Sequence, residues 1–265
     1  VDFSKMELQP GDADSEGFSF ETTTPPENRA VCYLTYTNEG MPIGAFWGYK
    51  TDGLIQTQEQ LNAVKRADFQ PNAELGDVLF VDTNGDGKLD SSDRCMIGNP
   101  IPDIIYGINM GMAWKGFDLN LQFGGTIGNQ IFNAMRYYTY FPNDITNKDR
   151  ALMNYWTPNN TNTDIPRLTA TDVNDNDRFS DMYVENGTYF RLRNAQLGYT
   201  LPASLTQRIK LQKVRFYVSG QNLFTISSYS GMDPEVGQSS SLSRGIDYGI
   251  YPQNISFTGG INVTF

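Results

Sequence analysis

Histidine is missing from all 265 residues. Its absence removes the Ser/His/Asp and Cys/His nucleophilic arrangements and every imidazole metal site, so much of hydrolase chemistry is excluded at the outset. Cysteine is nearly missing too. Cys32 and Cys95 are too few for a disulfide framework, lack the spacing of a zinc site and read as incidental thiols. Positive charge is scarce: twenty Lys and Arg against thirty Asp and Glu give a net charge of −10, which argues against nucleic acid as a partner. No window nears the ~18 uninterrupted apolar residues of a membrane helix, and Val-Asp-Phe-Ser-Lys at the start is not a signal peptide. The Leu/Ala/Glu/Lys-rich windows of helical proteins are also lacking, so the chain is expected to be mostly β, either soluble or crossing a membrane as a barrel.

What is present is alternation. Tyr106, Ile108, Met110, Met112 and Trp114 share one parity, with Gly107, Asn109, Gly111 and Ala113 on the other. After Lys115-Gly116 the pattern restarts, with Phe117, Leu119, Leu121 and Phe123 against Asp118, Asn120, Gln122 and Gly124, which predicts a two-residue hairpin. Val214, Phe216 and Val218 alternate likewise, as do Phe257, Gly259, Ile261, Val263 and Phe265. A weaker strand is expected over about 189–200, where Arg191, Arg193, Asn194 and Gln196 blur the pattern. Strands near ten residues, with aromatic ends and small or polar second faces, fit a transmembrane barrel better than a soluble sandwich with strands of about 5–6 residues. Tyr106 and Trp114, or Phe117 and Phe123, are expected near the two interfacial girdles. Connections alternate short (115–116, 201–212) and long (128–187, 227–255), as in outer-membrane barrels with short periplasmic turns. This places the long segments outside and the C-terminus in the periplasm.

Residues 76–99 carry a calcium-type loop. Asp82, Asn84, Asp86, Gly87, Asp90 and Asp93 occupy relative positions 1, 3, 5, 6, 9 and 12, with the Lys88 carbonyl at position 7. That spacing converges oxygens on one hard cation. Asp93 stands where an EF-hand has a bidentate Glu, and the alternative is a metal-free Asp/Asn/Gly turn. A structural role for calcium is expected. In the long segment, Phe132, Tyr137, Tyr138, Tyr140, Phe141, Tyr155 and Trp156 lie beside Asn and Asp. Such rings stack on sugars, grip peptides or seat a lid, and equally pack an ordered loop. Arg191 and Arg193 line a lumen or, the preferred reading, pair with acids across strands. Asp233-Pro-Glu235 is one turn, not the two carboxyls across a cleft that a glycosidase needs; it receives no catalytic role, and no enzyme activity is expected.

Several phrases occur in order: Pro42-Ile-Gly-Ala-Phe-Trp-Gly-Tyr-Lys-Thr-Asp-Gly53, Gly76-Asp-Val-Leu-Phe-Val-Asp-Thr-Asn-Gly-Asp-Gly87, Ile97-Gly-Asn-Pro-Ile-Pro102, Tyr106-Gly-Ile-Asn and Trp114-Lys-Gly-Phe-Asp-Leu. Tyr189-Phe-Arg-Leu-Arg-Asn, Gln221-Asn-Leu-Phe-Thr225 and Tyr229-Ser-Gly-Met-Asp-Pro-Glu235 follow. Over about 40–265 the chain resembles the C-terminal region of the SusC/RagA-like TonB-dependent transporters of Bacteroidota; residues 1–40 fit less clearly. The resemblance implies an all-β, antiparallel transmembrane barrel of which this chain is the C-terminal six to eight strands with long extracellular loops. It also implies an N-terminal plug and TonB-contacting segment that this chain lacks, a SusD-like surface lipoprotein as partner, and outer-membrane lipids around the wall. The expected activity is energised import of an oligomeric nutrient, glycan in preference to peptide. A terminal strand with Phe257, Ile261, Val263 and Phe265 is the expected assembly signal, and residues before Val1 are expected in the gene. The rival reading is a secreted, soluble, calcium-binding β module that binds glycans.

Overall fold

The computed structural model describes residues 18–20, 34–140, 147–236 and 244–265. Its strands in chain order are β1 (Phe18–Phe20), β2 (Thr35–Thr37), β3 (Ala45–Gly48), β4 (Thr51–Leu54), β5 (Val78–Phe80), β6 (Cys95–Gly98), β7 (Ile104–Trp114), β8 (Phe117–Ile127), β9 (Gln130–Asn133), β10 (Val184–Asn186), β11 (Tyr189–Thr200), β12 (Lys213–Ser227), β13 (Ile246–Asp247) and β14 (Ser256–Thr264). Helices α1 (Gln58–Arg66), α2 (Ala134–Tyr140) and α3 (Ala203–Thr206) are short, and no described helix is long and apolar enough to cross a membrane. The chain divides into two compact units: Val1–Ile101, Gln130–Glu185 and Val236–Gly249 form one; Pro102–Asn129, Asn186–Glu235 and Ile250–Phe265 form the other.

The second unit is a single antiparallel sheet in the order β14-β12-β11-β8-β7. Among the described residues five long strands make this sheet, and the remaining described strands are short and belong to other sheets. Lys115 and Gly116 join β7 to β8 with φ of 46° and 89°, the positive values that a two-residue hairpin turn demands. Register aligns the apolar residues into rows across all five strands, such as Met112–Leu119–Leu197–Val218–Gly259 and Trp114–Phe117–Tyr199–Phe216–Ile261. Polar and tiny residues form the opposite rows, such as Gly111–Asn120–Gln196–Ser219–Thr258.

The apolar rows are not buried. Ile108, Met110, Met112, Trp114, Leu197, Phe216, Val218, Phe257 and Ile261 are all exposed, Trp114 at 69%. A contiguous apolar surface of this extent is not one that water tolerates on a monomer. Its rings gather at the two ends. Phe190 lies 5.2 Å from Phe123, 6.5 Å from Tyr106 and 6.3 Å from Phe224 at one end, and Phe117 lies 4.5 Å from Tyr199 beside Trp114 at the other. Tyr106 to Trp114 spans about 27 Å of strand, or about 20 Å along the normal at a tilt of about 40°, close to the apolar band of an outer-membrane barrel. Tyr106 and Trp114 thus lie towards opposite ends of β7, and Phe117 begins β8 beside Trp114.

The first unit is built in the ordinary way, around three buried apolar groups. Leu34, Phe46, Ile97, Phe132, Tyr183 and Ile246 form the first; Tyr49, Leu54, Phe69, Val78, Phe80 and Trp156 the second; Ile55, Leu61 and Ala73 the third. Its helix α1 starts at Thr57, whose hydroxyl accepts from Gln60 N–H while Gln60 Oε1 accepts from Thr57 N–H, a reciprocal cap that fixes where the helix begins. A polar staple crosses this unit: Gln70, Asn174 and Asn176 bond the backbone of Val78 and Phe80, and Asn176 also donates to Asp77 and Asp172. Burial pushes the Asp172 carboxyl above its usual range, against the N–H groups of Asn176 and Asp177. Arg167 Nε donates to the buried Asp77 at 2.6 Å, so that charge is compensated.

Candidate functional site

The polar face of the wall is the candidate conduit surface, and its side chains are held in place from across the sheet. Arg215 on β12 reaches over Gly198 on β11 to Asp118 on β8, with Nε donating to Oδ1 at 2.9 Å. A Cβ on Gly198 would sit 2.4 Å from that guanidinium; the glycine is what lets the ion pair span three strands. Rows of amides and hydroxyls, such as Asn109–Gln122–Asn194–Gln221–Ser256, continue the surface. They offer donors and acceptors without net charge.

At the end opposite the short turns, Arg191 is buried to 2% and takes three partners. Its Nε donates to Thr225 Oγ1 at 2.8 Å, Nη1 to Glu235 Oε2 at 2.8 Å and Nη2 to Asp233 Oδ1 at 2.6 Å. Arg193 joins Glu235 at 3.1 Å and donates to the Tyr189 hydroxyl. Both arginines pair with acids, as preferred, but the acids are those of the turn Asp233-Pro-Glu235 and not residues of a neighbouring strand. Burial alone would raise the Asp233 carboxyl, yet N–H groups of Gln253 and Glu235 together with Arg191 hold it below the usual carboxylate range. The blurred alternation over 189–200 has a physical cause: the register shifts between Leu192 and Asn194. Arg193 is the extra residue of a bulge, which turns both arginines onto the polar face.

In the other unit the loop at 82–93 folds on its own backbone. Asp82 accepts from Gly85 and Gly87 N–H at 2.6 and 2.9 Å, Asn84 from Asp86 N–H and Asp86 from Lys88 N–H. The Gly87 N–H keeps the Asp82 carboxyl below its usual range. Asp93 is fully buried, accepts from Thr83 and Asp90 N–H and closes a short 3-10 turn capped by Asp90. Among the described residues no three His, Cys, Asp or Glu side chains are gathered closely enough to hold a metal ion. The loop orders its acids one by one against N–H groups.

With this geometry in view, comparison with known proteins is decisive for the family. The chain is 39% identical over 237 residues to TonB-dependent receptor P3 of Formosa agariphila, covering 86% of this chain and 22% of that receptor. It is 29% identical to TonB-dependent receptor SusC of Bacteroides thetaiotaomicron over 74% of this chain and 18% of SusC. Its fold matches the structure of the RagAB peptide transporter with a TM-score of 0.67 at 25% identity, over 88% of this chain and 24% of that one. The chain belongs to the SusC/RagA-like family of TonB-dependent receptors. It spans about a quarter or less of the length of these relatives. No protein-family model matches it.

In this SusC/RagA-like chain, the aromatic residues singled out as cargo or lid contacts separate. Trp156 is 6% exposed and its ring closes over Gly76, where a Cβ would sit 2.2 Å from the indole. Tyr137 packs between Phe179 and Tyr183 at 4.9 and 5.3 Å, and Tyr140 covers the Arg136 guanidinium at 4.8 Å. Trp156 is core, whereas Tyr137 and Tyr140 are half-buried against the first apolar group. Tyr138 is 42% exposed, Tyr155 is half-buried, and Phe141 lies outside the described residues, as does Cys32. Phe257, Ile261, Val263 and Phe265 are exposed; the first three lie on the edge strand β14. Sequence reasoning missed the tie from Arg191 to Asp233 and Glu235; the only signal was that both phrases interrupt otherwise apolar or small runs.

Proposed function

We propose that this chain is part of the wall of an outer-membrane importer driven by the TonB system, in which a SusD-like surface lipoprotein hands over an oligomeric nutrient. The observation that carries the reading is the five-strand sheet with an exposed apolar face, ringed at both ends, and a polar face opposite. Such a sheet is stable only with hydrocarbon on one side and water on the other. The kinship with TonB-dependent receptors supports it. The wall serves as a conduit in this reading; the relatives that cover most of the chain are receptors and transporters. The short turns 115–116 and 201–212 face the periplasm in this reading, together with the end of β14.

Two measurements test it. The full-length receptor needs detergent and migrates differently on a gel before and after heating; a protein soluble without detergent and insensitive to heating sinks the proposal in favour of a secreted β module. Removing Asn262 to Phe265 abolishes surface assembly, and normal assembly of that truncation removes the proposed role of Phe257, Ile261, Val263 and Phe265. For cargo, a glycan oligomer is the first reading. Similarity to a peptide transporter favours the second, and growth of a gene-deleted strain on glycan or on peptide oligomers separates them.

Calcium at 82–93 belongs to the same proposal. Asp82, Asp86, Asp90 and Asp93 with Lys88 leave a local charge of −3, and each carboxylate has lone pairs beyond those its N–H donors use. Binding requires Asn84 and the carboxylates to turn toward a common centre. Calorimetric titration of the full-length receptor should show calcium uptake that Asp82→Asn with Asp86→Asn abolishes; no heat above dilution refutes it.

A further inference from the structure

We infer that the short-turn rim of the wall is a binding surface for the headgroups of anionic glycerophospholipids; this rests on the barrel reading above. Over 112–120, 196–217 and 260–265, the stretches that make this rim, the charged residues are Lys115, Asp118, Arg208, Lys210, Lys213 and Arg215. The lone carboxylate, Asp118, is already bound by Arg215. Lys213 pairs with Thr264 in the polar rows, on the face of Arg215 and Asp118; Lys115, Arg208 and Lys210 remain, all exposed, in a chain whose net charge is −10. They share one edge of the sheet: Thr200 N–H donates to Gly116 at 2.7 Å, Leu201 N–H to Val214 at 2.9 Å, and Gln212 N–H to Thr264 at 2.9 Å.

A second observation is independent of charge. Five described non-glycine residues have positive φ: Asp68, Lys115, Asp175, Lys210 and Asn222. Asp and Asn tolerate that conformation because their short polar side chains bond locally. Lysine has no such compensation, and each costs about 1 kcal/mol against glycine there. Both exceptions stand on this rim, at 46° and 57°. The backbone strain is carried where an ammonium is presented. The surroundings fit a lipid and not a free ion. Lys115 Nζ lies 4.8 Å from the centre of the Trp114 ring; Trp114 and Phe117, which flank that turn, are exposed, as is Leu205 in the 201–212 connection. Rings and leucine meet acyl chains while the lysines reach up to phosphate.

The test is native mass spectrometry of the full-length receptor in detergent, offered phosphatidylglycerol, phosphatidylethanolamine or lipid A. The expected result is preferential retention of phosphatidylglycerol. A Lys115→Asn, Lys210→Asn variant keeps the turn conformations and should lose about twenty-five-fold in that retention, since each cation near a charged surface is worth about fivefold. Equal retention of phosphatidylglycerol and phosphatidylethanolamine, undiminished binding by the variant, or stronger retention of lipid A each overturns the inference. A heat-modifiable wild type with no anionic preference rejects this surface alone. A protein that is not heat-modifiable at all rejects the barrel reading with it.

Discussion

The two units of this chain treat the same kinds of side chain in opposite ways. In one, Phe46, Phe132 and Tyr183 are at most 1% exposed and pack on other apolar groups; in the other, Met112, Trp114 and Phe257 stand 68% to 74% exposed in apolar rows. Neither set is more apolar than the other. What differs is the solvent for which each surface is built: the first unit hides its apolar atoms from water, and the wall offers them to hydrocarbon. The polar groups invert too. The first unit buries Asp77 against Arg167 inside a core, whereas the wall keeps its amides and its Arg215–Asp118 pair on the face that must stay wet.

Truncating a ring should separate the two most sharply. Phe132→Ala is expected to cost about 3–5 kcal/mol through the lost contacts and the cavity left behind, read as earlier unfolding of the first unit in hydrogen exchange. Leu197→Ala in the wall should cost far less, because acyl chains fill the gap. Equal losses would break the comparison. Next in size, Met110→Arg in the middle row of the wall should cost about 2–4 kcal/mol for a charge in the apolar band and reduce the heat-modifiable form, whereas Asn120→Arg on the wet face should leave it unchanged.

The two units also answer pH with opposite signs. Asp233 has a depressed pKa when folded, so its stabilisation is present above the usual carboxylate range and is lost as pH falls through the folded value. Asp172 has a raised pKa when folded, so its contribution is present below that range and lost as pH rises through the folded value. Asp233→Asn should therefore destabilise most at about pH 7 and less as pH falls below the usual carboxylate range, while Asp172→Asn should help most at about pH 7; urea melts across that pH range check both. The smallest effect is expected from Thr57→Ala, which removes the cap of α1 at about 1 kcal/mol and should fray the first unit's exchange pattern without touching the wall.

The wall was legible in the sequence because period two is written into each strand locally: Tyr106 to Trp114 needs no distant partner to declare its faces. The first unit was not. Strands as short as Val78–Phe80 exist because Asn174 and Asn176, nearly a hundred residues away, bond their backbone, and no window of sequence contains that information. The same limit explains Trp156 and Tyr137, whose rings read alike whether they face cargo or core. Arg191 and Arg193 were legible as paired but not with whom, since the bulge and the turn at 233–235 only meet in three dimensions.

Trp156 closing over Gly76 has a spectroscopic consequence. Its indole N–H is buried with no hydrogen-bond partner among the described residues, so it should emit at short wavelength and stay dark to aqueous quenchers. Trp114 is the only one of the three tryptophans on the wall, and bromine on an acyl chain should reach it first. With Trp47 lying 4.8 Å from Tyr36, the chain carries its own colour-coded reporters, and denaturation followed by emission spectrum should resolve which of the two solvents is being lost.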